Sequence, residues 1–173
     1  MADHLGLERV LWIPAGRPPH KAAAAVSPAG VRLQMVREAV GADPRFDVST
    51  VEVDRPGPSW MVDTVKELAE TFPGADLFLI IGADEFRDFD SWRDPLEIVR
   101  HAHLAVMDRA GDSARDMAPD TPAGDQAVFV PVCRVDVSST LIRDAVRRGE
   151  PVDDLVPPGV AAIIQREGLY SAP

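Results

Sequence analysis

Leu77-Phe78-Leu79-Ile80-Ile81, followed directly by Gly82-Ala83-Asp84, is the clearest buried strand in the sequence. A short, uninterrupted apolar run of this kind is typical of a strand covered on both faces, as in a parallel sheet. Just before it, apolar residues recur at helical spacing from Trp60 to Phe72, and Pro73-Gly74 stops the pattern. The stretch therefore predicts an amphipathic helix that leads into a buried parallel strand.

The same alternation extends in both directions along the chain. Further strands are predicted at Arg9–Pro14, Phe46–Val53, His103–Met107 and Ala127–Val132. Further helices are predicted to start at the cap-and-proline pairs Ser27-Pro28 and Asp94-Pro95, and to span Ser138–Arg148 and Pro157–Glu167. Strands that alternate with helices indicate βαβ units. We therefore expect a doubly wound α/β fold, a parallel sheet with helices on both faces.

Length and composition bound the organisation of the chain. With 173 residues and ordinary apolar and charged content, the chain is predicted to form a single domain, residues 1–173. Residues 109–126 carry Gly, Pro, Asp and Ser with almost no large apolar side chains. We expect a mobile surface loop there.

Charge and cysteine content exclude several function classes. The formal net charge of −10 argues against wholesale binding to nucleic acid or to an anionic membrane, but not against a phosphorylated small substrate. The longest apolar run is too short to cross a bilayer, and the N-terminus does not resemble a signal peptide. Cys133 is the only cysteine, which excludes an internal disulfide and a cysteine-rich metal site. We therefore expect a cytoplasmic protein.

The helix that begins near Ser138 is the first candidate for ligand binding. Ligands of doubly wound folds lie beyond the carboxyl ends of the strands, and free amides at a helix start favour an anion. Ser138, Ser139 and Thr140 add hydroxyl groups, and Arg143 lies on the same face one turn later. Two interpretations remain open: the helix start binds phosphate, or the serines only cap the helix while Arg143 is solvated.

Two more candidates follow the buried strand. Asp84, just past Gly82, could accept hydrogen bonds from ribose hydroxyls or an amino group, or could simply cap a helix. Trp92 lies in a short predicted helical stretch and is followed by Arg93. Its ring could stack on an aromatic base, although a tryptophan in such a place is more often part of the core.

Two segments carry weaker signals. In Pro18-Pro19-His20-Lys21, Lys21 offers a point charge to a phosphate and His20 could donate to the same group. The alternative there is an exposed proline-rich loop. Asp63-Thr64 lies in the first turn of a predicted helix, where exposed amides can hold a carboxylate, or where the pair simply starts the helix.

Taken together and in this order, the segments resemble the bacterial nicotinate-nucleotide adenylyltransferase family over nearly the whole chain. Six ordered stretches carry the resemblance: Trp12-Ile13-Pro14-Ala15-Gly16-Arg17-Pro18-Pro19-His20-Lys21, Val53-Asp54-Arg55-Pro56-Gly57-Pro58-Ser59 leading to Val62-Asp63-Thr64, Ile81-Gly82-Ala83-Asp84, Ser91-Trp92, Val137-Ser138-Ser139-Thr140-Leu141-Ile142-Arg143, and Gly168-Leu169-Tyr170. The resemblance implies a Rossmann-like nucleotidyltransferase fold. It also implies that nicotinate mononucleotide attacks the α-phosphorus of ATP, giving deamido-NAD and pyrophosphate in NAD biosynthesis.

The resemblance further implies a role for each candidate residue. The residues implied to bind the mononucleotide are Asp63, Thr64, Trp92 and Arg93. The residues implied to bind ATP are Gly82, Asp84, Ser138, Ser139, Thr140 and Arg143. Trp92 would stack on the pyridine ring, and the backbone around Thr64 and Arg93 would hold the carboxylate. Lys21 and Arg143 would act in catalysis by facing the phosphates, with Mg²⁺ shared by the phosphates and no protein nucleophile.

The N-terminus departs from the family pattern. Members begin with a strand, a turn of the form Gly-Gly-Thr-Phe-Asp-Pro-x-His-x-Gly-His and a helix, whereas Met1–Leu7 resembles only the tail of that helix. In the implied strand order the absent strand is the central one, so its two neighbours are expected to have unpaired inner edges. We therefore predict a late-assigned start codon or a truncated gene, and a chain that is inactive as it stands. A smaller departure is Met61, where the family usually has threonine.

Two other functions remain open. One is an adenylyltransferase that acts on nicotinamide mononucleotide or phosphopantetheine, neither of which needs a carboxylate site at Thr64 and Arg93. The other is a non-catalytic nucleotide-binding module, which would keep mononucleotide affinity through Trp92 yet release no pyrophosphate. The sequence makes no prediction of the oligomeric state.

Overall fold

The computed structural model describes residues 1–20, 26–41, 43–109 and 127–171. The strands in these ranges are β1 (Val10–Trp12), β2 (Phe46–Val48), β3 (Phe78–Gly82), β4 (His103–Arg109) and β5 (Val128–Val132). The helices are α1 (Ala2–Leu5), α2 (Ala29–Ala39), α3 (Val51–Asp54), α4 (Met61–Thr71), α5 (Ala83–Arg87), α6 (Pro95–His101), α7 (Ser139–Arg147) and α8 (Pro158–Arg166). A 3-10 helix, Phe89–Ser91, lies between α5 and α6.

The contacts of the chain divide into two compact units. The first unit comprises Met1–Gly6 and Ser59–Arg134, and the second comprises Leu7–Pro58 and Val135–Pro173. Each unit holds its own parallel sheet, β3-β4-β5 in the first and β1-β2 in the second, and each also contains helices. The α/β class and the parallel pairing are thus confirmed. The single domain and the absent central strand stay predictions.

The first unit is built on its three-stranded sheet. Strand β4 lies between β3 and β5, with Gly82 beside Met107 and Met107 beside Val130. Helix α4 packs against α6, and α5 contacts β3 and β4. The fully buried apolar side chains of the unit include Phe86, Phe89, Ile98, Leu104 and Val106. The helix from Trp60 and the strands predicted in this unit are confirmed.

The second unit combines a short sheet with a pair of helices. Strand β1 pairs with β2, with Val10 beside Phe46. Helix α2 packs against α8, and the Arg166 guanidinium donates to the Gln34 side-chain oxygen at 3.0 Å. The side chains that α8 buries are Val160, Ile163 and Ile164.

One strand prediction is wrong in its second half. Phe46–Val53 was predicted as a single strand, but β2 ends at Val48 and the one-turn helix α3 follows. The Asp54 amide donates to the Thr50 carbonyl at 2.9 Å, and the Thr50 hydroxyl donates to the Asp54 carboxylate at 2.6 Å. These two local bonds close a helical turn, although the β-branched residues of the segment favour a strand.

Two predicted helix caps also differ from the structure. Pro28, not Ser27, is the N-cap of α2, and the Ser27 hydroxyl instead donates to the Tyr170 hydroxyl at 3.2 Å. At α6, Asp94 is the N-cap and Pro95 occupies the first turn, both as predicted, but the Asp94 side chain makes no cap bond and its φ is 49°, in the left-handed region. At Ser27 the long-range contact with Tyr170 overrides the local signal for a cap. At Asp94 the backbone geometry overrides the signal for a side-chain cap bond.

The predicted surface loop at 109–126 falls almost wholly outside the described residues. Its first residue, Arg109, is the last residue of β4, so the predicted boundary is one residue too early. In the part of the chain that the structure describes, no helix is long and apolar enough to cross a membrane.

Candidate functional site

Gly82 and Asp84 lie where β3 passes into α5, at the carboxyl end of the strand. Gly82 is the last residue of β3 and the N-cap of α5, and its backbone is buried. A Cβ at this position would lie 2.6 Å from Oε2 of Glu85, the far end of an exposed side chain. Packing alone therefore does not require glycine here. The Asp84 carboxylate is exposed and lies 3.6 Å from the Arg87 guanidinium.

Trp92 lies on the rim of the core of the first unit. Its ring is tilted against Phe89, with the centroids 5.3 Å apart, and Phe89 is fully buried beneath it. Trp92 itself is only partly buried. The ring thus packs against the core on one side and keeps exposed surface that a planar ligand could contact.

Arg93 follows Trp92 and meets a second tryptophan. Its guanidinium carbon lies 5.2 Å from the centre of the Trp60 ring, and its Nε lies 3.9 Å from the Asp94 carboxylate. About half of the Arg93 side chain is exposed, at 53%. The stacking restricts the guanidinium without neutralising it, so the group remains able to bind an anion.

Trp60 was not among the predicted site residues. It is the N-cap of α4, and its carbonyl accepts bonds from the amides of Asp63 and Thr64 at 3.1 and 3.2 Å. The Thr64 hydroxyl also donates to it, at 3.3 Å, and the Thr64 side chain is fully buried. Met61 and Val62 come before these residues in the first turn, so their backbone amides are not used in the bonds to the Trp60 carbonyl. An anion at this helix start would therefore meet those two amides, and the departure at Met61 leaves such a backbone donor in place.

Helix α7 of the second unit begins as predicted. Ser138 is its N-cap: the hydroxyl oxygen accepts a bond from the Leu141 amide at 3.1 Å, and the carbonyl accepts one from Ile142 at 3.1 Å. The amides of Ser139 and Thr140 precede the first helical hydrogen bond, and both residues are exposed. Capping and anion binding use different atoms here, so the two interpretations of this segment are compatible.

Arg143 reaches back along α7 toward its start. Its Nη2 donates to the Ser139 hydroxyl at 3.0 Å, one turn earlier. Its guanidinium carbon lies 5.9 Å from the centre of the Tyr170 ring. The side chain is half-buried between these two contacts rather than fully solvated. The cation therefore lies over the same turn whose amides precede the helical bonds.

A polar network that sequence reasoning missed lies in the same unit. The Arg32 guanidinium donates to the Gly16 carbonyl at 2.9 Å and to the Ser27 carbonyl at 3.0 Å. Burial lowers the pKa of Arg32, while the nearby Tyr170 and the buried Glu52 act in the opposite direction. Arg32 thus joins the two ends of the segment that contains His20, which is exposed. The predicted catalytic Lys21 lies outside the described residues.

The described residues place no group of three or more His, Cys, Asp or Glu side chains where it could hold a metal ion. Mg²⁺ is commonly held by substrate phosphates and water together with one or two carboxylates.

The chain is similar to one family model and to named relatives over most of its length. A cytidylyltransferase-like family model matches residues 1–145. A Thermus thermophilus relative named nicotinate-nucleotide adenylyltransferase is 42% identical over 166 residues, which cover 96% of this chain and 85% of the relative. A Corynebacterium kroppenstedtii relative of the same name is 40% identical over 170 residues, covering 98% of this chain and 80% of the relative.

The solved structures agree in fold. Plasmodium falciparum nicotinic acid mononucleotide adenylyltransferase complexed with NaAD has a TM-score of 0.71 at 15% identity, covering 98% of this chain and 90% of that chain. The same Plasmodium enzyme complexed with APC has a TM-score of 0.70 at 14% identity, covering 94% of this chain and 82% of that one. The family model and the two sequence relatives show that the chain belongs to the nicotinate-nucleotide adenylyltransferase family of cytidylyltransferase-like nucleotidyltransferases.

Proposed function

We propose that the protein transfers the adenylyl group of ATP to nicotinate mononucleotide, giving deamido-NAD and pyrophosphate as a step of NAD biosynthesis. The observation that carries this proposal is the 42% identity to the Thermus relative of that name, which extends over 96% of the chain. Each unit by itself supports the proposal: the first holds an aromatic ring beside a cation, and the second holds a helix start beside a cation. We expect the protein to bind both substrates in the cytoplasm.

The pyridine nucleotide is proposed to bind to the first unit. The exposed side of Trp92 would stack on the pyridine ring, since its other side is supported by Phe89. The Arg93 guanidinium and the backbone amides of Met61 and Val62, in the same helical turn as Asp63 and Thr64, would attract the nicotinate carboxylate. Nicotinamide lacks that negative charge, so this arrangement would favour the acid.

Candidate ATP-binding residues occur in each of the two units. In the second unit, the start of α7 would hold the polyphosphate through the amides of Ser139 and Thr140 and the guanidinium of Arg143. Ser138 would keep that helix start in place through its cap bond. In the first unit, Gly82 and Asp84 would lie on the adenine and ribose side.

The proposed reaction needs no protein nucleophile. A 5′-phosphate oxygen of the mononucleotide forms a bond to the α-phosphorus of ATP, and the bond from that phosphorus to the bridging oxygen breaks. The electron pair leaves with pyrophosphate. Arg143, and Lys21 by resemblance, would stabilise the charge that spreads over the phosphate oxygens. Mg²⁺, when bound to those phosphates, would neutralise part of the same charge.

Pyrophosphate release from MgATP tests the proposal, with nicotinate mononucleotide, nicotinamide mononucleotide and phosphopantetheine offered as acceptors. The acid is expected to be preferred over the amide by at least about tenfold in kcat/KM, because the amide forgoes a charge-assisted contact. Equal use of acid and amide would refute the carboxylate site.

The same assay tests two predictions made from the sequence. If the chain binds nicotinate mononucleotide but releases no pyrophosphate, the non-catalytic binding module is favoured. Pyrophosphate release by the chain as it stands would instead contradict the prediction from the sequence that the chain is inactive.

A further inference from the structure

Tyr170 contacts two regions of the second unit that are far apart in sequence. Its hydroxyl accepts a hydrogen bond from the Ser27 hydroxyl at 3.2 Å, across 143 positions of the chain. Its ring lies against the Arg143 guanidinium, with 5.9 Å between the ring centre and the guanidinium carbon. Ser27 is itself held from the backbone side by Arg32, which donates to its carbonyl. The ring is therefore anchored at its polar end and meets a cation on its face.

The backbone at Tyr170 is unusual. Its φ is 64°, in the left-handed region that residues with a Cβ rarely adopt. The preceding turn is closed by the Leu169 amide, which donates to the Ile164 carbonyl at 3.0 Å. A non-glycine residue keeps such a conformation only where its contacts determine it, and here those contacts are Ser27 and Arg143.

Arg143 needs such a support. A free arginine side chain loses much rotamer freedom when it is fixed, which weakens any contact it makes with a ligand. In this structure the Ser139 hydroxyl holds one edge of the guanidinium, and the Tyr170 ring lies close to its carbon. The two contacts keep the cation over the first turn of α7 before any ligand arrives.

We propose that Tyr170 is a positioning residue that holds the Arg143 guanidinium for the polyphosphate of ATP. The inference rests on the proposed function, because it takes the start of α7 to be the polyphosphate site. Tyr170 acts through Arg143 and makes no contact of its own with the ligand. The Gly168-Leu169-Tyr170 segment thus serves nucleotide binding in addition to forming the turn that bonds back to α8.

The test compares two variants of the full chain. Tyr170→Asn removes the ring but tolerates positive φ, so the fold is expected to survive the change. Tyr170→Phe keeps the ring and removes only the hydroxyl. Affinity for inorganic tripolyphosphate is measured by titration calorimetry, and KM by steady-state kinetics. Tyr170→Asn should weaken tripolyphosphate binding and raise KM for ATP about two- to fivefold, as expected for one cation–π contact, with KM for nicotinate mononucleotide unchanged.

Conservative variants separate positioning from simple packing. Tyr170→Phe should restore most of the affinity that Tyr170→Asn loses, and Ser27→Ala should match Tyr170→Phe because both remove the same hydrogen bond. In an Arg143→Ala background, Tyr170→Asn should cause no further loss of tripolyphosphate affinity. An undiminished loss in that background, or wild-type affinity in Tyr170→Asn alone, would overturn the proposal.

Tripolyphosphate binding also separates this inference from the proposed function. If the wild-type chain binds tripolyphosphate but forms no deamido-NAD, the catalytic proposal fails while the Tyr170 comparison can still be made. If the wild-type chain does not bind tripolyphosphate, α7 is not a polyphosphate site and the role of Tyr170 is refuted with it.

Discussion

The two units hold their candidate binding groups in different ways. In the first unit, Trp92 rests on the fully buried Phe89 at the rim of an apolar core. In the second, Arg143 is held by a hydroxyl and an aromatic ring, and that ring is tied through Ser27 to Arg32. The first arrangement depends on burial, and the second on directional polar contacts. Substitutions in the first unit should therefore weaken packing and ligand binding together. Substitutions in the second unit should weaken ligand binding more selectively.

The largest effect is expected from Arg143→Ala. Removing the guanidinium deprives the polyphosphate of a charge-assisted contact, so kcat/KM for ATP should fall about 30- to 100-fold. KM for nicotinate mononucleotide should change little. Steady-state kinetics measure both, with Arg147→Ala, an exposed position one turn later on α7, as the matched control. A similar loss in the control would mean that the general charge of α7 matters and the position of Arg143 does not.

Trp92→Ala comes next. Loss of base stacking should raise KM for nicotinate mononucleotide about tenfold. The same change should lower the melting temperature, because Trp92 also packs against Phe89. Kinetics and thermal unfolding are measured on the same preparation, and Trp92→Phe is expected to keep most of both properties. If Trp92→Ala lowers the melting temperature but leaves KM for nicotinate mononucleotide unchanged, then Trp92 is a core residue and does not bind the substrate.

A smaller effect is expected at Arg32. Arg32→Lys keeps the charge but cannot present a planar fork to the Gly16 and Ser27 carbonyls, so about one hydrogen bond is lost. The free energy of unfolding should fall by about 1 kcal/mol in urea titrations. Arg37→Lys, exposed on the same helix, is the control and should be nearly neutral. Equal effects at both positions would show that Arg32 does not hold this segment.

The smallest expected effect concerns the pH dependence of the first unit. Hydrogen bonds from Lys66, and then from Arg100, lower the pKa of Glu97 from 4.5 to about 2. A carboxyl group whose pKa is depressed in the fold stabilises it above pH 4.5, and this contribution is lost as the pH falls toward 2. Glu97→Gln should therefore flatten the decline in melting temperature over that pH window. An unchanged decline would mean that these ion pairs do not contribute to stability.

The fold was predicted from the sequence where the local pattern of apolar residues is clear. The run from Leu77 to Ile81 and the spacing from Trp60 to Phe72 identify β3 and α4, because burial of an apolar face is a local property of the sequence. The second half of Phe46–Val53 was mispredicted because a Thr50–Asp54 pair closes a helical turn in a segment of strand-like composition.

The candidate site was predicted only in part. Ser138 capping and the reach of Arg143 toward Ser139 follow from spacing along one helix. The supports from Tyr170 and Arg32 could not be predicted, since they join residues that only the folded chain brings together. One feature of the sequence could have identified Trp60 as a site residue: it is an aromatic residue immediately before a helix start that was already a candidate anion site.

The central claim is adenylyl transfer from ATP to nicotinate mononucleotide. It is tested most directly by incubating the full chain with MgATP labelled at the α-phosphorus and with nicotinate mononucleotide, and then identifying the labelled product. We predict that the label appears in deamido-NAD, that unlabelled pyrophosphate forms in equal amount, and that nicotinamide mononucleotide competes poorly. No labelled dinucleotide, or label released as free AMP at the same rate with and without the acceptor, would contradict the account.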